Sequence, residues 1–192
     1  METCLKQEAQ ETVAAHGRYV LTECDPKRAE REYAELLAFL DKPDRAHAEY
    51  VRLRDAYHAK AKVAEHIFTN LVPTVGRSVL AQRLAGTLTY TGTVNYAGLG
   101  SATTTPTNGD TQLGTEVYRQ AITSSTYVNN IAYLSCFIAQ GSATGTHNEG
   151  GLFIDGTGSA NTGQIFSHVL FTPAIVKSAL NSLTLDVTLT LT

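Results

Sequence analysis

Residues 182–192 read SLTLDVTLTLT, and their alternation is strict. Leu183, Leu185, Val187, Leu189 and Leu191 fall on one side of an extended chain. Thr184, Asp186, Thr188 and Thr190 fall on the other. A period of two sends successive side chains to opposite faces, so the stretch is a strand with one buried and one polar face. Antiparallel sheets take this form. The strand needs partners, and they must lie upstream.

The same period runs back to about residue 87. TLTYTGTVNYAGLG (87–100) alternates Thr with Leu, Tyr or Val. EVYRQAITSSTYVNNIAYLSCFIAQ (116–140) predicts two strands, Val117–Thr123 and Ile131–Gln140, joined through a Ser-Thr and Asn-Asn region. EGGLFIDGTGSANTGQIFSHVLF (149–171) reads as strand, glycine-rich turn, strand. Five to seven short strands at this spacing imply a jelly-roll-like β-sandwich.

Before residue 84 the chain has another character. Residues 1–83 hold 26 of its 33 charged residues and 2 of its 15 glycines. In CDPKRAEREYAELLAFLDK (24–42), Asp25 is a candidate N-cap and Pro26 fits the first helical position. Tyr33, Leu36, Leu37 and Leu40 follow at helical spacing. After Pro43, Ala46, Tyr50, Leu53, Tyr57, Ala61, Ala64 and Phe68 recur every three or four residues, and an earlier helix is expected from Leu5 to Leu21 with Gly17 as its weak point. NLVPTVGRSVLAQRLAG (70–86) predicts a connector helix. Thr74 caps it, Val75, Val79, Leu80 and Leu84 form its buried side, and Gly86 ends it. The expected architecture is therefore α+β, with a helical arm or hairpin over 1–69, a connector over 70–86 and an antiparallel sandwich over 87–192. Such helices pack as a solvated hairpin or as an arm against neighbouring subunits.

Composition narrows the function. A net charge of −3 advertises neither nucleic acid nor an anionic membrane as a partner. Cys4, Cys24 and Cys136 are widely spaced and form no C-x-x-C pair, which argues against a disulfide framework or a structural zinc site. The opening METCLKQEAQE is too polar for a signal peptide, and no apolar run reaches the length of a membrane span. The expected place of assembly is the cytoplasm.

Catalytic patterns are sparse. Asp155-Gly156-Thr157-Gly158 approaches an aspartic-protease signature, but an extra glycine follows the acid and no second copy supplies the other carboxylate. A hairpin loop that uses glycine for positive φ is the simpler account. THNEGG places His147 two residues from Glu149, which in a strand puts both on one face. With His168 they form a candidate metal site across a subunit axis, set against the plainer reading of solvent-exposed loop residues. Cys136 lies among apolar residues and reads as an inert buried thiol. No G-x-S-x-G elbow and no phosphate loop is present. No cofactor is expected.

The charge-poor segment GLGSATTTPTNGDTQLGTEVYR (98–119) carries turn chemistry at Pro106, Asn108-Gly109 and Asp110, and an apolar anchor at Leu113. It resembles a recurrent segment of tailed-bacteriophage virion proteins, where it follows a short helix and precedes a β-rich half. NEGGLF (148–153), GQIFSHVLFTPAIVK (163–177) and the closing strand resemble later landmarks of that family in the same order. The resemblance covers roughly residues 70–192. It implies a tail or tail-fibre-associated structural protein located in the virion, and it brings no catalytic residues.

The function this implies is non-enzymatic. A structural subunit of the tail, baseplate, fibre base or neck would act by multivalent contact with copies of itself, as a ring or trimer, and with other virion proteins. The alternative is a capsid decoration protein or a receptor- or glycan-binding module. The expected assembly contacts are Tyr50, Leu53, Tyr57, Ile67 and Phe68 on the arm, and Thr103, Pro106, Asn108 and Leu113 in the loop.

Overall fold

A computed structural model describes residues 15–87 and 89–192. Among them are nine strands and three α-helices, an α+β architecture of two antiparallel sheets with helices toward the N-terminus. The strands are β1 (Ala15–Cys24), β2 (Lys62–Thr69), β3 (Val94–Gly100), β4 (Glu116–Ala121), β5 (Ser124–Val128), β6 (Ile131–Ile138), β7 (Gly145–Ile154), β8 (Gln164–Lys177) and β9 (Ser182–Leu191). The helices are α1 (Glu30–Leu40), α2 (His47–Ala61) and α3 (Thr74–Leu84). One sheet has the order β2-β1-β9-β6-β5 and the other β4-β3-β7-β8.

The closing strand sits at the centre of the five-stranded sheet, between β1 and β6. Leu183, Leu185, Val187 and Leu189 enter the core between the sheets, where they join Tyr19, Leu134, Leu152, Phe166 and Phe171. One flank of the sandwich is joined by Leu71 and His168, which exchange backbone hydrogen bonds of 2.8 Å. On the other flank the chain steps between sheets. Ile122 N–H reaches Asn95 O in one sheet, and Thr123 N–H reaches Ser135 O in the other.

The described part, 15–69, of the helical arm expected over 1–69 does not stand apart: β1 and β2 belong to the five-stranded sheet. Of the helix expected over Leu5–Leu21, residues 1–14 lie outside the described residues, and Ala15–Cys24 is strand β1. Tyr19 and Leu21 face the core while Thr22 and Cys24 face outward beneath the helices, so a period of two governs here. The helix through Tyr50 and Tyr57 ends at Ala61, and Lys62–Thr69 forms edge strand β2. Ala64 and Phe68 continue the helical spacing only by coincidence. The run Val63, Ile67, Phe68 and Thr69 is β-branched or aromatic, the composition that favours a strand.

Asp25 does cap, its carboxylate accepting Lys27 N–H at 3.0 Å, but the turn it starts is a short 3₁₀ helix, Pro26–Arg28, ahead of α1. Connector helix α3 occupies its expected place with Val79 buried, and Gly86 follows it at φ 77°, but Pro73 rather than Thr74 stands at its N-cap, with no side-chain capping bond. Leu84, expected on its buried side, is exposed.

Helices α1 and α2 lie on the outer face of the five-stranded sheet. Leu36, Phe39, Leu53 and Tyr57 pack with Cys24 and Phe137 in a second core. The polar side of β9 is therefore not left to solvent over its first half. Helix α2 crosses the strands, and one side chain per turn reaches a strand partner. Tyr50 Oη meets Ser135 Oγ at 2.8 Å, Arg54 Nη1 donates to Asp186 Oδ1 at 2.7 Å, and Tyr57 Oη meets Ser182 Oγ at 2.9 Å. At either end His47 Nδ1 meets Ser124 Oγ and His58 Nε2 meets Thr184 Oγ1.

Candidate functional site

The loop of residues 101–115 leaves β3 at Gly100 and returns to β4 at Glu116. Its tip is a tight turn in which Thr107 N–H and Oγ1–H donate to the Asp110 carboxylate at 2.8 and 2.6 Å. Helix α3 braces the same turn. Thr74 N–H donates to Asn108 O at 3.0 Å, and Arg77 Nη2 to Asn108 Oδ1 at 3.0 Å. The base is closed by Ser101 N–H bonding Thr115 O, and by Leu113, which is buried with Phe153 and Ile165.

Beneath the loop lies a buried cluster of three ionisable groups from three elements. Glu149 on β7 is fully buried, and its oxygens accept N–H groups from Ala102 at 3.3 Å, Gly114 at 3.0 Å and Thr115 at 2.8 Å. His168 on β8 meets the same carboxylate through Nε2 at 2.9 Å, and meets Asp110 Oδ2 through Nδ1 at 2.7 Å. A ring that donates from both nitrogens satisfies both carboxylates. Burial works against the Asp110 charge, but bonds from Thr107 and His168 outweigh it and hold its carboxyl below the usual range. Gly100 is required because a Cβ there would collide with the Glu149 carboxylate.

This arrangement has one chemical consequence. The Glu149 oxygens are engaged by loop backbone and imidazole, and His168 is buried, so the cluster fastens a loop rather than presenting a reactive face. The proposed metal set is not assembled. Glu149 and His168 come together, but a register shift in the β7–β8 pairing between His147 and Glu149 breaks the rule that i and i+2 share a face. His147 turns away and bonds Ala143 O through Nε2 at 2.7 Å. Its burial, with Glu149's, also replaces the reading of these residues as solvent-exposed. Among the described residues no group of three His, Cys, Asp or Glu is placed to hold a metal ion.

The other singled-out residues divide cleanly. Tyr50, Leu53 and Tyr57 are buried between α2 and the sheet, Phe68 packs on Phe171, and Leu113 anchors the loop from inside. They hold this chain together and are unavailable to a partner. Ile67, Thr103 and Asn108 are exposed, and Pro106 is half-buried. Asp155, at φ 53°, accepts bonds from Thr91 N–H and Oγ1–H and so fixes the hairpin between β7 and β8. Burial pushes the Cys136 thiol far up, as befits an inert group, and the Cys24 thiol up to about 12.

The pairing of Asp110 with Glu149 through His168 is absent from the linear pattern. Asp110 reads there as turn chemistry alone, and only the fold brings it under the loop. The one available signal was the scarcity of ionisable groups, five acids and two histidines in a half with seven charged residues. No helix among the described residues is long and apolar enough to cross a membrane. Comparison of the chain with known protein families, with curated proteins and with solved structures finds no match in any of the three.

Proposed function

We propose that the chain is a non-enzymatic structural subunit of a tailed-bacteriophage particle, in the tail, baseplate, fibre base or neck. It acts by multivalent assembly with copies of itself and with other virion proteins. The observation that carries this reading is the fastening of the loop. From Ser101 to Thr115 the one charged residue is Asp110, and its carboxylate is turned inward onto His168. What faces outward is a fixed run of Thr103, Thr104, Thr105, Thr107 and Asn108. The loop's own outward side chains are uncharged, so they meet a neighbour at low desolvation cost and with little loop entropy left to lose. The order of landmarks that resembles phage virion proteins supports the same reading, since the loop and its Glu149 anchor are two of those landmarks.

The test is the molar mass of the full chain by light scattering over a concentration series. A closed trimer, hexamer or larger ring is expected. A monomer at every concentration would contradict self-assembly and favour the alternative, a capsid decoration or receptor-binding module.

A further inference from the structure

Helix α2 covers only part of the outer face of the five-stranded sheet. Beyond it, Arg18, Thr188 and Tyr133 stand opposite one another on β1, β9 and β6. The next row is Val20, Asp186 and Ser135, and Arg54 Nη1 of α2 reaches its Asp186. These two rows floor a cavity of about 250 Å³, which Arg54 and His47 line from the helix. His47 also lines a second cavity, of about 410 Å³, with Arg45, Asn95, Thr123 and Ser125. The two therefore adjoin at the start of α2.

The polar atoms of the first cavity are only partly engaged. Arg54 and Ser135 both bond Asp186 Oδ1, at 2.7 and 2.6 Å, which leaves Oδ2 open. His47 meets Ser124 through Nδ1 and leaves Nε2 open. Arg18 is exposed, and neither its guanidinium nor the hydroxyls of Tyr133 and Thr188 has a side-chain partner among the described residues. Donors, an acceptor and hydroxyls that do either thus converge on one hollow beside the Tyr133 ring. A phosphate or sulfate group only accepts, and here it would face the Asp186 carboxylate. A sugar hydroxyl donates and accepts, which suits the mixed set.

Charge narrows the class further. Three arginines and one carboxylate line the two cavities, in a chain of net charge −3. Asp186 offsets Arg54, so Arg18 and Arg45 are in excess and match a sugar that carries a carboxylate. Pockets for drug-sized molecules span about 300–1,000 Å³, so cavities of this size hold about one ring each.

We propose that this groove binds an acidic oligosaccharide, a run of uronic acid units. One ring lies over Tyr133, with its carboxylate on Arg18 and its hydroxyls on Asp186 Oδ2 and Thr188. The next unit passes His47 toward Arg45. Neither cavity needs a second copy to complete it, so the site stands or falls apart from self-assembly.

The probe is fluorescein-labelled tetragalacturonate, titrated with the full chain at low salt and read by fluorescence anisotropy. Its methyl ester, tetra-aspartate and a thymidine tetranucleotide carry the same label. Saturable binding of tetragalacturonate above the other three is expected. Arg18→Gln and Tyr133→Ala should each weaken it about ten-fold, with circular dichroism confirming the fold of both. Arg83→Gln, on α3 against the other sheet, should leave it unchanged. Equal binding of tetra-aspartate or the tetranucleotide overturns the saccharide class, and equal binding of the ester overturns the acidic one. Binding that survives both groove variants, or no binding of tetragalacturonate at all, overturns the site.

Discussion

Glu149 holds its loop by a division of labour between its two oxygens. One takes Ala102 and Thr115, and the other takes Gly114 and the His168 ring. In Glu149→Gln an amide N–H₂ would face donors, leaving buried N–H groups unpaired. Loss of about 3 kcal/mol in urea unfolding is expected, with faster amide exchange confined to residues 101–115. His58 gives a second expectation at this scale. Burial, with Arg54 nearby, lowers its pKa to about 4. Between about pH 6.5, the ordinary value, and about 4, the unfolded chain binds a proton that the folded chain refuses. Stability is therefore complete above that window and falls as pH drops through it, by about 2 kcal/mol after allowance for partial exposure. Denaturant midpoints at pH 7 and pH 4.5 measure the drop, and His58→Gln should reduce it.

Among the elements, β9 was legible because its alternation is long and unbroken, and the β7–β8 hairpin because glycine and asparagine mark its turn. β5 was not, since Ser124, Ser125 and Thr126 offer no apolar alternation. Only the Asn129-Asn130 turn, with Asn129 at φ 54°, shows that a hairpin joins it to β6. β1 and β2 were hidden by flanking charges and by an accidental continuation of the α2 spacing. Helix α2 is the instructive case. Its periodicity was visible, but its buried face carries Tyr50, Arg54 and Tyr57, whose polar ends meet Ser135, Asp186 and Ser182. A strand face of Ser, Thr and Asp reads as solvated until a helix with matching groups is laid on it. Tyr57→Phe leaves the buried Ser182 hydroxyl without this partner, and a loss of about 1–2 kcal/mol is expected in chemical unfolding. Deletion of residues 1–69 should abolish the cooperative thermal transition altogether, because β1 lies between β2 and β9. A truncated chain that still melts cooperatively would show the sandwich independent of β1.

At the scale of the whole molecule, the composition step near residue 84 marks a change in chemistry rather than a structural boundary. The charged half supplies two strands and the helical cover. The glycine- and threonine-rich half supplies the other seven strands and the fastened loop. Fold class was legible because strand alternation and helix spacing are local. The loop fastening was not, since it joins residues 110, 149 and 168, which only the fold brings together. Among the described residues, surfaces left for partners include the threonine run of the loop, Ile67 on the β2 edge, Tyr127 on β5 and Leu84 at the end of α3.

The most direct measurement is immunogold electron microscopy, with antibodies raised against the folded chain, on purified particles from the host that carries its gene. The account predicts gold at one fixed station of the tail, baseplate, fibre base or neck, on every particle. Particles that stay unlabelled while free protein in the same lysate is recognised would contradict it.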